Sequence, residues 1–129
     1  MDKNAVVAWV DAYVRAWAAN SPEEIGALFS EDAVYSYHPF DEPVQGREAI
    51  VASWLKNPDA PGTWEAHYEP IAVDGDVAVV HGRSRYFNDS TRAELKNQWD
   101  NIFVIHFDEA GLCRSFSEWF VAPKKQPGG

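Results

Sequence analysis

Cysteine is almost missing from this chain. Cys113 stands alone, which excludes an intrachain disulfide and leads to the expectation of a reducing, cytoplasmic setting. Basic residues are also scarce, with 11 Lys and Arg against 20 Asp and Glu and a formal charge of −9. With no basic stripe to follow a phosphate backbone, nucleic acid is excluded as a partner. No apolar run approaches the roughly 20 residues of a membrane-spanning helix, so no membrane partner is expected. The opening MDKNAVVAWV is broken by charge too early to be a signal peptide. The histidines, His38, His67, His81 and His106, lack short metal-ligand spacing, and no glycine-rich loop or nucleophile elbow is present. Neither a metal nor any other cofactor is expected.

What the chain has in excess is aromatic. Six Trp, five Tyr and seven Phe exceed the needs of a minimal core, and such side chains commonly line cavities. The length of 129 residues suits one domain, expected over 1–122, with PKKQPGG at 123–129 as a flexible tail.

Val6, Trp9, Val10, Tyr13, Val14 and Trp17 recur at three- and four-residue spacing and predict an amphipathic helix over about 3–19. Ser21, Pro22 and Glu24 carry the capping signals of a second, short helix whose buried face is Ile25, Leu28 and Phe29. A β-rich stretch over 32–37 ends at Pro39 and Pro43, and a third helix follows over 46–56. Four strands are then expected, at about 63–73, 76–87, 95–107 and 112–121. Asp74 and Gly75 join the first two, and Asp108 to Gly111 joins the last two. The connection from Asn88 to Glu94 is polar and reads as mobile.

Helices followed by an antiparallel meander predict an α+β fold in which about three N-terminal helices cover one face of a curved sheet. Both faces of the sheet are apolar, for example Phe103 and Ile105 against Ile102 and Val104. The uncovered face is therefore expected to meet a second copy in a homodimer.

LFSEDAVY at Leu28–Tyr35, HPFDEPVQGREAI at His38–Ile50, AVDGDVAVVHGR at Ala72–Arg83 and FDEAGLCRSFSEWF at Phe107–Phe120 resemble, in order and spacing, the nuclear transport factor 2-like superfamily. The resemblance is strongest to its SnoaL-like and ketosteroid isomerase-like branches. It implies a cone-shaped, curved antiparallel sheet wrapped around the helices, with a pocket at the open end for a small hydrophobic molecule. Transferred onto this chain, the isomerase's oxyanion tyrosine falls on Tyr13 and its second pocket tyrosine on Trp54. The general-base position falls on His38 counted from the HPF side, or on Tyr37 counted from Asp32. The protonated acid falls on Phe103, so steroid isomerisation itself is not implied.

The same resemblance points His81, Arg83, Asn101, Phe103, Phe116, Glu118 and Phe120 inward. His38, His81, Glu118 and Tyr13 then form the expected catalytic group. Tyr37, Trp54, Arg83, Asn101, Phe103, Phe116 and Phe120 form the expected substrate wall, in an otherwise apolar pocket. Such a site suits cofactor-independent acid–base chemistry on a small hydrophobic carbonyl compound, of the isomerase, cyclase or dehydratase type. A carrier without chemistry and a protein-interaction module share the fold, and both remain open at this level.

Overall fold

The computed structural model describes residues 1–127. Helix α1, Lys3–Ala19, turns Val6, Trp9, Val10, Tyr13 and Ala16 onto one buried face. The Asp2 side chain caps it by accepting from the Ala5 N–H at 2.8 Å. It ends at Asn20, which takes the left-handed conformation that Asn tolerates, with φ 51°. Ser21 then caps α2, Pro22–Gly26, accepting from the Glu24 N–H at 3.3 Å.

Leu28 and Phe29 do not extend α2 as the apolar spacing suggests. The helix stops at Gly26, and Phe29 opens β1, Phe29–Ser36, three residues before the expected start. The Phe29 ring is fully buried and meets Trp9 edge-on, so tertiary packing overrides the local period. A two-residue strand β2, Val44–Gln45, had no signal of its own beside Pro43. Gly46 follows with φ 94°, donating its N–H to the Ala33 carbonyl at 2.7 Å, and α3, Arg47–Lys56, starts there.

The remaining strands fall within a residue of expectation: β3, Trp64–Asp74; β4, Val77–Phe87; β5, Leu95–Phe107; β6, Cys113–Val121. The sheet order is β2-β1-β6-β5-β4-β3, with β1 parallel to β6 and every other neighbour antiparallel. The connection expected to be mobile is tied down by Arg92, whose guanidinium donates to the Gly62 carbonyl at 3.0 Å and the Trp64 carbonyl at 3.1 Å. Residues 128 and 129 of the expected tail lie outside the described residues. Within the rest of it, the Gln126 side chain accepts from the Gln98 N–H at 3.0 Å and donates to the Gln98 carbonyl at 2.8 Å. Among the described residues no helix is long and apolar enough to cross a membrane.

The concave face of the sheet meets α1 through Phe103, Ile105, Phe107 and Phe116, all essentially buried. On β4 the concave parity is Ala78, Val80, Gly82 and Ser84. His81 and Arg83 therefore point to the other face, one residue out of step with the expectation. Both parities of VAVVHGRS begin with apolar residues, so alternation could not choose between them. Asp100 does choose. It sits opposite Arg83 on β5, accepts from Arg83 Nε at 3.0 Å, and lies 2.9 Å from His81 Nε2.

Gly82 pairs with Tyr68 on β3, and a Cβ at this position would collide with the Tyr68 ring and the His67 carbonyl oxygen. The glycine lets the Tyr68 ring lie flat across the neighbouring strand. Gly82→Ala is expected to lower the stability of the fold by about 2 kcal/mol or more, read as a shifted midpoint in urea unfolding.

Candidate active site

One cavity of about 470 Å³ opens between α1, α3 and the concave face of the sheet. All five tyrosines of the chain line it. Of the phenylalanines only Phe120 does so; Phe29, Phe103, Phe107 and Phe116 are buried in the core. The distribution has a physical reason. A buried phenol needs a hydrogen-bond partner, and the cavity wall supplies them: Tyr13 and Tyr35 bond each other and Tyr37 bonds Ser53.

The deep end is built on Phe116. Tyr35 stacks on its ring with centroids 4.4 Å apart, Tyr13 stacks on it at 5.5 Å, and the two phenols meet at 3.1 Å between oxygens. Burial pushes both phenols well above the ordinary tyrosine range, so they are hydrogen-bond donors at neutral pH. One O–H is used inside the pair, which leaves the other to donate into the cavity.

Glu118 stands on the same face of β6 as Phe116. Desolvation raises its carboxyl from the ordinary range to about 7. Asn101 Nδ2 donates to Glu118 Oε2 at 2.7 Å, and Asn101 Oδ1 accepts from Ser84 Oγ at 3.1 Å. The relay fixes the amide orientation and anchors one carboxyl oxygen. Glu118 Oε1 has no hydrogen-bond partner among the described residues. The Glu118 charge also raises the pKa of every one of the five tyrosines, which places it at the electrostatic centre of the ring of phenols.

The mouth is formed by Phe120, Tyr37 and the loop Asn57–Asp59. The Tyr37 and Ser53 hydroxyls meet at 2.7 Å, and Trp17 Nε1 donates to Asp59 Oδ2 at 2.9 Å. Trp17 is held flat by Trp64, whose ring lies 3.5 Å away at 11°. The Trp54 ring forms part of the wall, and its buried N–H has no acceptor among the described residues.

Of the residues named from the sequence, Glu118, Tyr13, Tyr37, Trp54, Asn101 and Phe120 line the cavity. His38 does not. Its ring lies behind Phe120, centroids 5.8 Å apart, and its Nδ1 accepts from the Phe40 N–H at 3.2 Å. Strand parity from the buried Tyr35 carries Tyr37, not His38, to the cavity side, and the irregularity in β1 falls earlier, between Phe29 and Val34. His81 and Arg83 are on the opposite face of the sheet, bound to Asp100, and Arg83 has no contact with Glu118. Phe103 and Phe116 lie beneath the cavity as its packed floor rather than in its lining.

Tyr35, Tyr68, Tyr86, Ser84, Asp59, Trp17 and Trp99 were not singled out from the sequence, yet all line the cavity. The choice of Tyr rather than Phe was the available signal for the first three. Among the described residues no group of three or more His, Cys, Asp or Glu is placed to hold a metal ion.

The cavity thus combines a mostly apolar wall with five phenols and the carboxyls of Glu118 and Asp59. The family of SnoaL-like domains matches residues 10–116. No curated protein matches the chain. Among solved structures, an NTF-2 like protein of unknown function from Burkholderia xenovorans LB400 is 17% identical, with a TM-score of 0.70 and 97% of this chain and 89% of that one covered. A candidate ketosteroid isomerase from Kribbella flavida DSM 17836 is 19% identical, with a TM-score of 0.69 and coverages of 99% and 86%. An LEH-like epoxide hydrolase from M. tuberculosis is 14% identical, with a TM-score of 0.66 and coverages of 92% and 84%. At such identities the structural likeness shows the fold alone. The family match runs from α1 to β6, and the chain belongs to the family of SnoaL-like domains.

Proposed function

We propose that the protein is a cofactor-independent acid–base catalyst acting on a small hydrophobic carbonyl compound, of the isomerase, cyclase or dehydratase kind. The observation that carries this reading is the Glu118 carboxyl, raised to about 7 by desolvation and surrounded by phenols at the base of a cavity. A base poised near the working pH is in the right state to accept a proton and is still strong enough to remove one. Glu118 takes a proton from the carbon next to the carbonyl, and the C–H electron pair moves into the enolate. The free O–H of the Tyr13–Tyr35 pair donates to the enolate oxygen, and Glu118 returns the proton to another carbon. Asn101 positions Glu118 without touching the reacting atoms. The site roles of the histidines and Arg83 are not carried into this reading.

The carrier reading predicts a cavity without poised acid–base groups, so Glu118 favours catalysis over it. We further place the protein in the cytoplasm as a homodimer. Cys113, the one cysteine, is a buried free thiol, so the fold uses no intrachain disulfide. The convex face presents Trp119 and Val121, 44% and 67% exposed, beside the half-buried Ile102 and Val104. If that face joins two copies, Ile102→Asp produces monomers in sedimentation velocity while the wild type sediments as a dimer.

The chemistry is tested with 2-tetralone in deuterated buffer, following loss of the α-proton signals by NMR. The wild type is expected to accelerate exchange, with a rate that rises with pH and levels off above about 7 as Glu118 ionises. Glu118→Gln should lose about 100-fold or more, and Tyr13→Phe about 10-fold or more. A Glu118→Gln protein as fast as the wild type would sink the assignment.

The same shift has a consequence for stability. A carboxyl whose folded pKa is raised from 4.5 to about 7 binds more protons folded than unfolded between those values. Stability therefore falls as pH rises through that window and stays lower above it. Glu118→Gln removes the desolvated charge and is expected to stabilise the fold at pH 8 by up to about 3 kcal/mol. The gain should vanish near pH 4, as measured by urea unfolding at the two pH values.

A further inference from the structure

We infer that the ligand of this cavity carries a basic nitrogen, which sits at the mouth against Asp59 between aromatic faces. The inference rests on reading the cavity as the substrate site and adds the class of group recognised there. The lining includes two carboxylates, Asp59 and Glu118, and not one Lys, Arg or His. The arginines of β4 and of the connection after it are paired. Arg83 pairs with Asp100, and Arg85 and Arg92 both pair with Glu65 at 3.0 and 3.3 Å. An anionic ligand would face carboxylates with nothing to offset them, in a protein of charge −9.

The mouth also has the geometry of an ammonium site. Asp59 Oδ2 is held by the Trp17 indole at 2.9 Å, and the loop backbone is pinned where Asn20 Nδ2 donates to the Asp59 carbonyl at 3.3 Å. Asp59 Oδ1 accepts no hydrogen bond among the described residues. The ring of Tyr86 lies 6.2 Å from Trp17, and burial, with the Asp59 charge as the next cause, raises its phenol. Trp99 and Phe120 meet edge-on at 5.2 Å and line the same cavity. Aromatic rings beside a carboxylate, here Trp17 and Tyr86 next to Asp59, bind an ammonium by cation–π attraction and by ion pairing together. A neutral ligand closing over Asp59 would instead strip water from an unmatched charge. The Trp17–Trp64 stack fixes the cage before any ligand arrives, so little ordering is needed on binding.

Division of labour follows from the two environments. Glu118 is deep, desolvated and surrounded by hydroxyls, and is left for proton transfer. Asp59 is half-buried at the rim and holds the nitrogen, so the ring system it carries reaches inward toward Tyr13 and Tyr35.

Calorimetric titration with three probes of one shape tests this: 2-(1-naphthyl)ethylamine, 2-(1-naphthyl)ethanol and 1-naphthylacetate, at pH 7.5 and low salt. The amine is expected to bind about tenfold tighter than the alcohol, and the carboxylate weakest. Asp59→Asn keeps an acceptor for the Trp17 indole and removes the charge, and should bring the amine to within about threefold of the alcohol. Glu109→Gln, an equal change of charge in the exposed β5–β6 turn, should keep the preference. An alcohol that matches the amine, a preference that survives Asp59→Asn, or the absence of binding by any probe overturns the inference. A preference abolished by Glu118→Gln but not by Asp59→Asn also overturns it, because the counter-ion is then the deep carboxyl. Amine preference without tetralone exchange would leave this inference standing and remove the catalytic reading; the opposite pair of results would do the reverse.

Discussion

The arrangement depends on holding one carboxyl, that of Glu118, half-buried and poorly solvated in the cavity wall, on the face of β6 that also buries Phe116. Phe116, Glu118 and Phe120 share a face of β6, so the alternation that buries Phe116 completely also carries Glu118 beneath the helices. A desolvated carboxylate is costly, and the fold offers it one strong donor, Asn101 at 2.7 Å, and no cation. An Arg partner would have lowered the pKa and turned the group into a fixed ion pair. An amide partner steadies the carboxyl but leaves the desolvation uncompensated, which is how the group comes to titrate near neutrality. Ser84 completes the relay by occupying the amide oxygen, and it can do so because Gly82 and Ser84 are the concave residues of β4.

Around that carboxyl the choice between Tyr and Phe has been made position by position. Phe116 is the platform, stacked with Tyr13 on one partner and Tyr35 on another, and Phe103 supports it from below at 4.8 Å. Both tyrosine rings stack on it, and their hydroxyls meet beside it. Replacing Phe116 by a smaller residue would therefore disturb the phenol pair through packing, although Phe116 touches no ligand. The cavity is thus an extension of the core in which hydroxyls replace methyl and ring contacts on one surface. Tyr68 enters by a different route, across the bare backbone of Gly82.

Much of this architecture was legible in the sequence because its signals were local. The helical spacing through Val6, Trp9 and Tyr13, the Ser21 cap and the turns at Gly75 and Gly111 each act over a few residues. They placed α1, the start of α2 and the four long strands. Glu118, Asn101 and Phe120 were legible only through the resemblance, which set the inward parity of strands whose two faces are both apolar. His81 and Arg83 were not, because Val77 to Val80 satisfy either face equally and only the cross-strand partner Asp100 breaks the tie. His38 illustrates a second limit. A chemically attractive residue at the end of a strand owes its direction to the strand's parity, and that parity was set by Tyr35 packing on Phe116. Asp59 lay in a loop with no period at all; the Trp17 indole that holds it is 42 residues away in sequence.

The cavity therefore holds two carboxylates for opposite reasons, and their supports differ accordingly. Glu118 accepts from a neutral amide and is buried enough to hold its proton at mildly acidic pH. Asp59 accepts from an indole at a half-open rim, where water and a ligand can both reach it. Exchanging the two environments would exchange the chemistry: a rim carboxyl cannot be poised near 7 without desolvation, and a deep one cannot meet an incoming charge before the ligand has shed its water. An ammonium held at the rim also acts on the deep site, because its field disfavours the protonated form of Glu118 and favours the base. On the proposed reading, recognition at Asp59 and proton abstraction at Glu118 would be coupled through the ligand, with no movement of the protein required.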